Sequence, residues 1–253
     1  MSKRKLHLSK ISMLHCWKLV FRSALFLALA VIYIYDRIIA HQSGQTFMAF
    51  VTHPYLLAFV WIVFAAEMLL RFFPSKMESM GCQKVFACNY QPVAQPQPHR
   101  DDRGATWAIL AAWLGLNGAI AALYFTHIID NGILILIALA YSVCDMICIL
   151  FFCPFQTWFL KNKCCGTCRI YNWDFAMMFT PLVLIPHFYT WSLFSLGLAL
   201  LLYWELVHLR HPERFYEESN ASLKCANCKE RLCSHKKQLR QLHQKLRKMN
   251  FMK

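Results

Sequence analysis

The 253-residue chain predicts an all-α integral membrane protein: a six-helix transmembrane bundle with a small cytosolic Cys-rich metal-binding cap. Three observations carry that prediction. Hydrophobic residues make up 58% of the chain and charged residues only 16%. The apolar residues fall into long runs, and runs of about 18 or more read as bilayer-spanning helices. The Lys and Arg residues behind the formal net charge of +14 sit between and beyond those runs rather than evenly along the chain.

Each element follows in order. Residues 1–17 are a basic segment with Lys3, Arg4, Lys5 and Lys10. The apolar run Leu19 to Ala40 exceeds the roughly 7–15 residues of a signal-peptide core and has no strong small-x-small cleavage site after it. It is therefore expected to remain as helix one, Lys18 to Ala40. Helix two, Pro54 to Phe73, completes a first hairpin over residues 18–73. Residues 74–104 form a loop whose Pro-rich second half is expected to be extended. Helices three (Ala105 to Phe125) and four (Gly132 to Cys153) make the second hairpin, 105–153. In helix three, Gly115 and Gly118 with nearby alanines predict close helix packing. After the loop 154–172, helices five (Trp173 to Ile185) and six (Thr190 to Leu209) make the third hairpin, 173–209. Helix five is short and contains Pro181, so a re-entrant segment is its rival reading. Residues 210–233 leave the membrane at Pro212, and 234–253 read as a basic amphipathic helix with Leu239, Leu242, Leu246 and Met249 on one face.

Orientation follows from the basic residues. The segments ending at Lys18, from Arg71 to Gly104, from Lys161 to Asp174, and from Arg210 onward hold five, five, three and twelve Lys or Arg. The alternate connections, His41 to His53, His127 to Asn131 and Pro186 to Tyr189, hold none. The positive-inside rule then puts both termini in the cytosol, with the plasma (inner) membrane as the expected location. Phe188, Tyr189 and Trp191 outside, and Trp158, Tyr171 and Trp173 inside, stand where interfacial aromatic belts are expected. The tail would meet anionic lipid headgroups or a cytosolic protein; nothing in it favours nucleic acid.

Two C-x-x-C turns, Cys165 to Cys168 and Cys225 to Cys228, lie 56 residues apart with basic residues on both sides. Cytosolic cysteines stay reduced, so clustered ones point to metal or catalysis. The separation exceeds the roughly 15–20 residues usual between zinc-ribbon knuckles. A membrane hairpin that goes out and returns accounts for the excess. Cys165, Cys168, Cys225 and Cys228 are thus expected to hold zinc as a tetrathiolate, with mononuclear iron in the same geometry as the alternative. Cys164, Cys233, Cys82 and Cys88 are expected to be scattered free thiols, with a second or substituted metal site as the alternative, and Cys144, Cys148 and Cys153 are expected to be small buried apolar groups.

Asp36, Glu67, Asp145 and Glu205 fall within apolar runs. Intramembrane carboxylates are costly and usually face a bundle interior. Glu67, Asp145 and Glu205, with His208 three residues beyond Glu205, therefore mark a candidate polar site. Structural ion pairing is the expectation set ahead of such a site: Glu67 with Arg71, Asp36 beside Arg37, Glu205 with Arg210 or a base of another helix, and Asp145 without an obvious partner in its own helix. His41, His53, His127 and His187 lie at the outer boundary and no histidine pair lies at mid-depth, which leaves a bis-histidine haem unsupported. No phosphate loop, nucleophile elbow or H-E-x-x-H motif occurs. The functional expectation is a non-enzymatic sensing, recruitment or assembly protein. The alternatives are a small ion or metal transporter using Asp145, Glu67 and Glu205, and a membrane redox protein with rubredoxin-like iron.

Overall fold

The computed structural model describes residues 10–39, 45–74, 83–94, 103–160, 168–224 and 227. Within them the chain is helical, and its one β-type pairing is an isolated bridge between Pro92 and Asn220. The helices are α1 (Lys10–Ile34), α2 (Gln45–Val51), α3 (Pro54–Leu69), α4 (Arg103–Phe125), α5 (Asn131–Leu150), α6 (Asp174–Phe179) and α7 (Phe188–Arg210). Four stretches are long and apolar enough to cross a membrane: Met13–Ile38, Arg103–Phe125, Asn131–Leu150 and Phe188–Arg210. The helix at Pro54–Leu69 is apolar but shorter.

Local chemistry sets the ends. Pro54 opens α3, where its missing N–H costs nothing. Asp130 caps α5 by accepting from the Ile133 N–H at 3.0 Å. Pro212 stands just past α7 and begins a single 3-10 turn, Pro212–Arg214. A widened π turn, Tyr35–Ile39, extends α1.

The predicted fifth helix, Trp173 to Ile185, is the main difference from expectation. It consists of the 6-residue α6 and a 3-10 stretch Thr180–Leu184, and a first 3-10 stretch, Arg169–Trp173, leads into it from the predicted loop. Pro181 lies at the start of the second stretch, where an α-helical hydrogen bond would need its absent N–H. These pieces still run the length of α7 in the opposite direction. Trp173 meets Glu205 at one end, and the Thr190 hydroxyl donates to the Ile185 carbonyl at the other.

Helix directions follow from such pairs. α1 and α5 are antiparallel, because Arg22 meets Asp145 while Tyr33 meets Asp130. α3 and α7 are parallel, because Trp61 meets Ser192 while Phe72 meets Tyr203. The main core joins α3, α5, α6 and α7 through Phe64, Met68, Leu134, Phe175, Phe179 and Leu200. Leu29, Phe47 and Leu139 pack α1 and α2 onto α5.

The close approach expected at Gly115 and Gly118 is not made among the described residues. A Cβ on either would meet open space. α4 turns that face outward and packs through Ile109 and Ile120. The tight contact is at Gly197 instead, where a Cβ would lie 3.1 Å from the Ala176 backbone nitrogen and 3.2 Å from the Phe175 carbonyl carbon. α6 therefore rests backbone-on against α7.

At the α7 carboxyl end, residues 83–94 and 212–224 fold together into a cap. Asn220 is its hub and is 0% exposed. Its Nδ2 donates to the Arg214 carbonyl at 2.8 Å and the Lys84 carbonyl at 3.3 Å. Its Oδ1 accepts from the Ser222 N–H at 3.0 Å. Ala221 N–H donates to the Gln91 carbonyl at 2.7 Å. Beneath this, Phe86 and Phe215 pack edge-on against Trp204.

Candidate functional site

α1 carries a basic residue, Arg22, in the middle of its apolar sequence, and burying it among helices leaves its side chain 2% exposed. Such a cation needs carboxylates, because an unpaired buried charge is prohibitively costly. Arg22 finds two. Its Nη2 donates to Glu67 Oε2 on α3 at 2.5 Å, and its Nη1 donates to Asp145 Oδ2 on α5 at 3.1 Å. Nη1 also donates to the Ser142 carbonyl at 3.1 Å, and the guanidinium stands 5.1 Å from the centre of the Phe64 ring. Lys18, one turn earlier, lies 3.6 Å from Glu67.

A second arginine holds a third acid. Arg71, four positions beyond Glu67, donates through Nη1 to Asp174 Oδ1 at 2.7 Å. Its guanidinium lies over the Tyr171 and Phe175 rings, at 5.2 and 4.5 Å. Two charged clusters result: Arg22 ties Glu67 on α3 and Asp145 on α5 to α1, and Arg71, just past α3, holds Asp174 on α6. With Lys18 included, the cations Lys18, Arg22 and Arg71 balance the anions Glu67, Asp145 and Asp174.

Placement of the predicted polar site is therefore mixed. Glu67 and Asp145 do come together, through Arg22. Glu205 stands apart from them, accepting from Arg169 Nη2 and Trp173 Nε1, each at 2.8 Å. His208 does not join Glu205; its Nε2 is 3.1 Å from the Tyr216 hydroxyl and its ring lies edge-on to Phe215. The local pairs expected for Glu67 and Asp36 are not made, because helix packing turns both acids inward, whereas Glu205 meets a base of another element, the second of its two expected partners. Asp36, expected beside Arg37, is fully buried and accepts from the Phe47 N–H at 3.0 Å. Arg37 pairs with Asp130, which also accepts from Tyr33 OH at 3.2 Å. Trp173, expected in an aromatic belt, is a buried donor, whereas Phe188, Trp191 and Trp158 are exposed as expected of belt residues. Arg22 was the available signal for this cluster: a basic residue inside an apolar run implies a buried acid elsewhere.

Of the predicted thiolate ligands, Cys165, Cys225 and Cys228 lie outside the described residues, as do Cys82, Cys164 and Cys233. Cys88 is exposed and Cys168 is half-buried. Among the described residues no group of three or more His, Cys, Asp or Glu is placed to hold a metal ion. Cys144, Cys148 and Cys153, expected to be buried, are exposed or half-buried and line a cavity of about 420 Å³ together with Cys168. Asp145 and Asp174 border the same cavity. The basic tail 234–253 lies outside the described residues.

No family model, no curated protein and no solved structure matches the chain.

Proposed function

We propose that this chain is a non-enzymatic membrane protein of six spans that assembles or recruits a cytosolic partner through a zinc-tetrathiolate cap, with both termini on the cytosolic side of the plasma (inner) membrane. The observation that carries this reading is the commitment of Glu67, Asp145, Asp174 and Glu205 to arginines of other elements. Glu67 and Asp145 are held by Arg22, Asp174 by Arg71, and Glu205 by Arg169. Carboxylates so engaged tie helices together, and a transport path would need them available to an ion. The anchors of the two knuckles support a single metal site. Arg169, next to Cys168, holds Glu205, and the cap segment ending at Lys224 packs on Trp204 and His208. Those three α7 residues fall within about one helical turn.

Metal analysis of the purified full chain tests the cap. About one zinc per chain is expected, falling to background in Cys225→Ser. A coloured protein with one iron would replace this reading with a rubredoxin-like redox protein, and no bound metal would remove the cap altogether. In reconstituted vesicles Asp145→Ala should leave ion flux unchanged; a loss of flux would favour the transporter.

A further inference from the structure

The cavity between α4, α5 and α6 has no role in that reading. Its volume of about 420 Å³ falls among ligand pockets, which run from about 300 to 1,000 Å³. Its wall is mostly hydrocarbon, supplied by Ala112 and Leu116 of α4, Ile149 of α5, and Met177 and Met178 of α6. The polar atoms around it are closed off. Trp113 Nε1, Asn117 Oδ1, Tyr171 Oη and Asp174 Oδ2 are sealed from water, and the Asp145 and Asp174 carboxylates are held by Arg22 and Arg71. The occupant such a wall suits is a bare hydrocarbon chain, and a chain lodged there must carry its polar end at the mouth.

The cavity has the reach of one such chain. Along α5 its lining runs from Tyr141 to Ile149, about 12 Å at about 1.5 Å per residue. It continues past the helix end at Leu150 to Cys153, Pro154, Phe155 and Gln156. That length approaches the roughly 15 Å of hydrocarbon in one leaflet, half of a core about 30 Å thick.

Sulfur is concentrated on this wall: Cys144, Cys148, Cys153 and Cys168 all line it. Cys144 and Cys148 lie inside the apolar span of α5, and Cys168 belongs to the first knuckle. Cys153 stands beyond the end of that span, half-buried, and its Sγ accepts from the Gln156 N–H at 3.4 Å. The sulfur is thus held against a turn whose residues line the mouth of the cavity.

We propose that Cys153 is an S-acylation site and that its thioester-linked chain lies in this cavity. The donor is a long-chain acyl thioester of a soluble carrier thiol. The Cys153 sulfur gives up its proton and attacks the acyl carbonyl carbon. The new carbon–sulfur bond replaces the carrier's, and the carrier leaves as a thiol with that proton; nothing is oxidised or reduced. Cysteines beside a membrane span are a usual place for this modification. The cavity adds proximity, because a chain seated along α5 brings its carbonyl to the thiol at the mouth. The site rests on the cytosolic orientation proposed above, since the donor is a cytosolic compound.

The test uses the purified full chain in lipid nanodiscs, stripped of thioesters with neutral hydroxylamine and then given hexadecanoyl-coenzyme A. Mass spectrometry reads the acylation rate at each cysteine. Cys16 is the internal comparison. It is exposed on α1, lies at the same end of the bundle because α1 and α5 are antiparallel, and does not line the cavity. Exposure alone would make Cys16 the faster of the two. Cys153 is expected instead to react at least about tenfold faster. Acetyl-coenzyme A, with no chain to seat, should show no such preference. Ala112→Trp, which fills the cavity, should bring Cys153 down to the rate of Cys16. A Cys153 rate no higher than that of Cys16, or an equal preference with acetyl-coenzyme A, would overturn the proposal, and both comparisons use the wild-type chain. Nanodiscs leave both faces open, so a wrong orientation cannot silence this reaction. Labelling of Lys224→Cys from outside intact cells would remove the orientation, and the donor with it, as a separate failure.

Discussion

Arg22 shows how much one side chain can decide. It lies in α1, yet its partners are on α3 and α5. Replacing it by Met leaves Glu67 and Asp145 buried with less positive charge between them. Breaking a buried pair in this way costs about 3–5 kcal/mol. Arg22→Met should lower the thermal midpoint sharply in detergent, and adding Asp145→Asn should recover part of the loss, since neighbours in one network are not additive. Two glycines make a contrasting pair. Gly197→Ala pushes a methyl into the α6 backbone and should cost about 1–3 kcal/mol. Gly118→Ala meets open space and should be neutral or stabilising by up to about 1 kcal/mol. The glycines that looked most like a packing motif are thus the ones whose loss the monomer should not notice.

Among elements, the cap and the broken fifth segment behave differently. The cap depends on Asn220, whose side chain serves the loop 83–94 and the segment 212–224 together. In Asn220→Ala the amides of both stretches should exchange hydrogen faster, whereas α1 and α5 should keep wild-type protection. If the fifth segment crosses the bilayer, cysteines at its far end and in the cap must lie on opposite sides. In a background without other reactive thiols, His187→Cys should react with an impermeant maleimide from outside intact cells and Lys224→Cys should not. Reaction of both from one side would make the segment re-entrant. The long apolar runs behind α1, α4, α5 and α7 were legible because length and composition alone decide whether a helix suits a bilayer. The fifth segment was only half legible: Pro181 marks a disturbance, but whether the chain bends or stretches depends on what α7 offers it to pack against. Glu67 and Asp145 were legible as costly acids. Their partners were not, because a pair 45 or 123 residues apart depends on helix rotation that periodicity in so uniformly apolar a sequence does not reveal.

Taken whole, the molecule is a bundle whose ends are finished differently. The end holding Tyr33, Arg37, Asp130 and His187 is closed by short turns and caps. The other end gathers the Arg22 cluster, the Arg71–Asp174 pair, the Glu205 cluster, the cap and the flanks of both knuckles. The Arg22 cluster also bears on biogenesis. A ribosome releases the guanidinium of Arg22 45 residues before Glu67 and 123 residues before Asp145. For that interval α1 holds a positive charge with no counter-ion of its own chain, and the insertion machinery must shelter it or leave it at the lipid boundary. Translation of the third and fifth helices then draws the first one fully into place, so the oldest part of the nascent chain is among the last to settle.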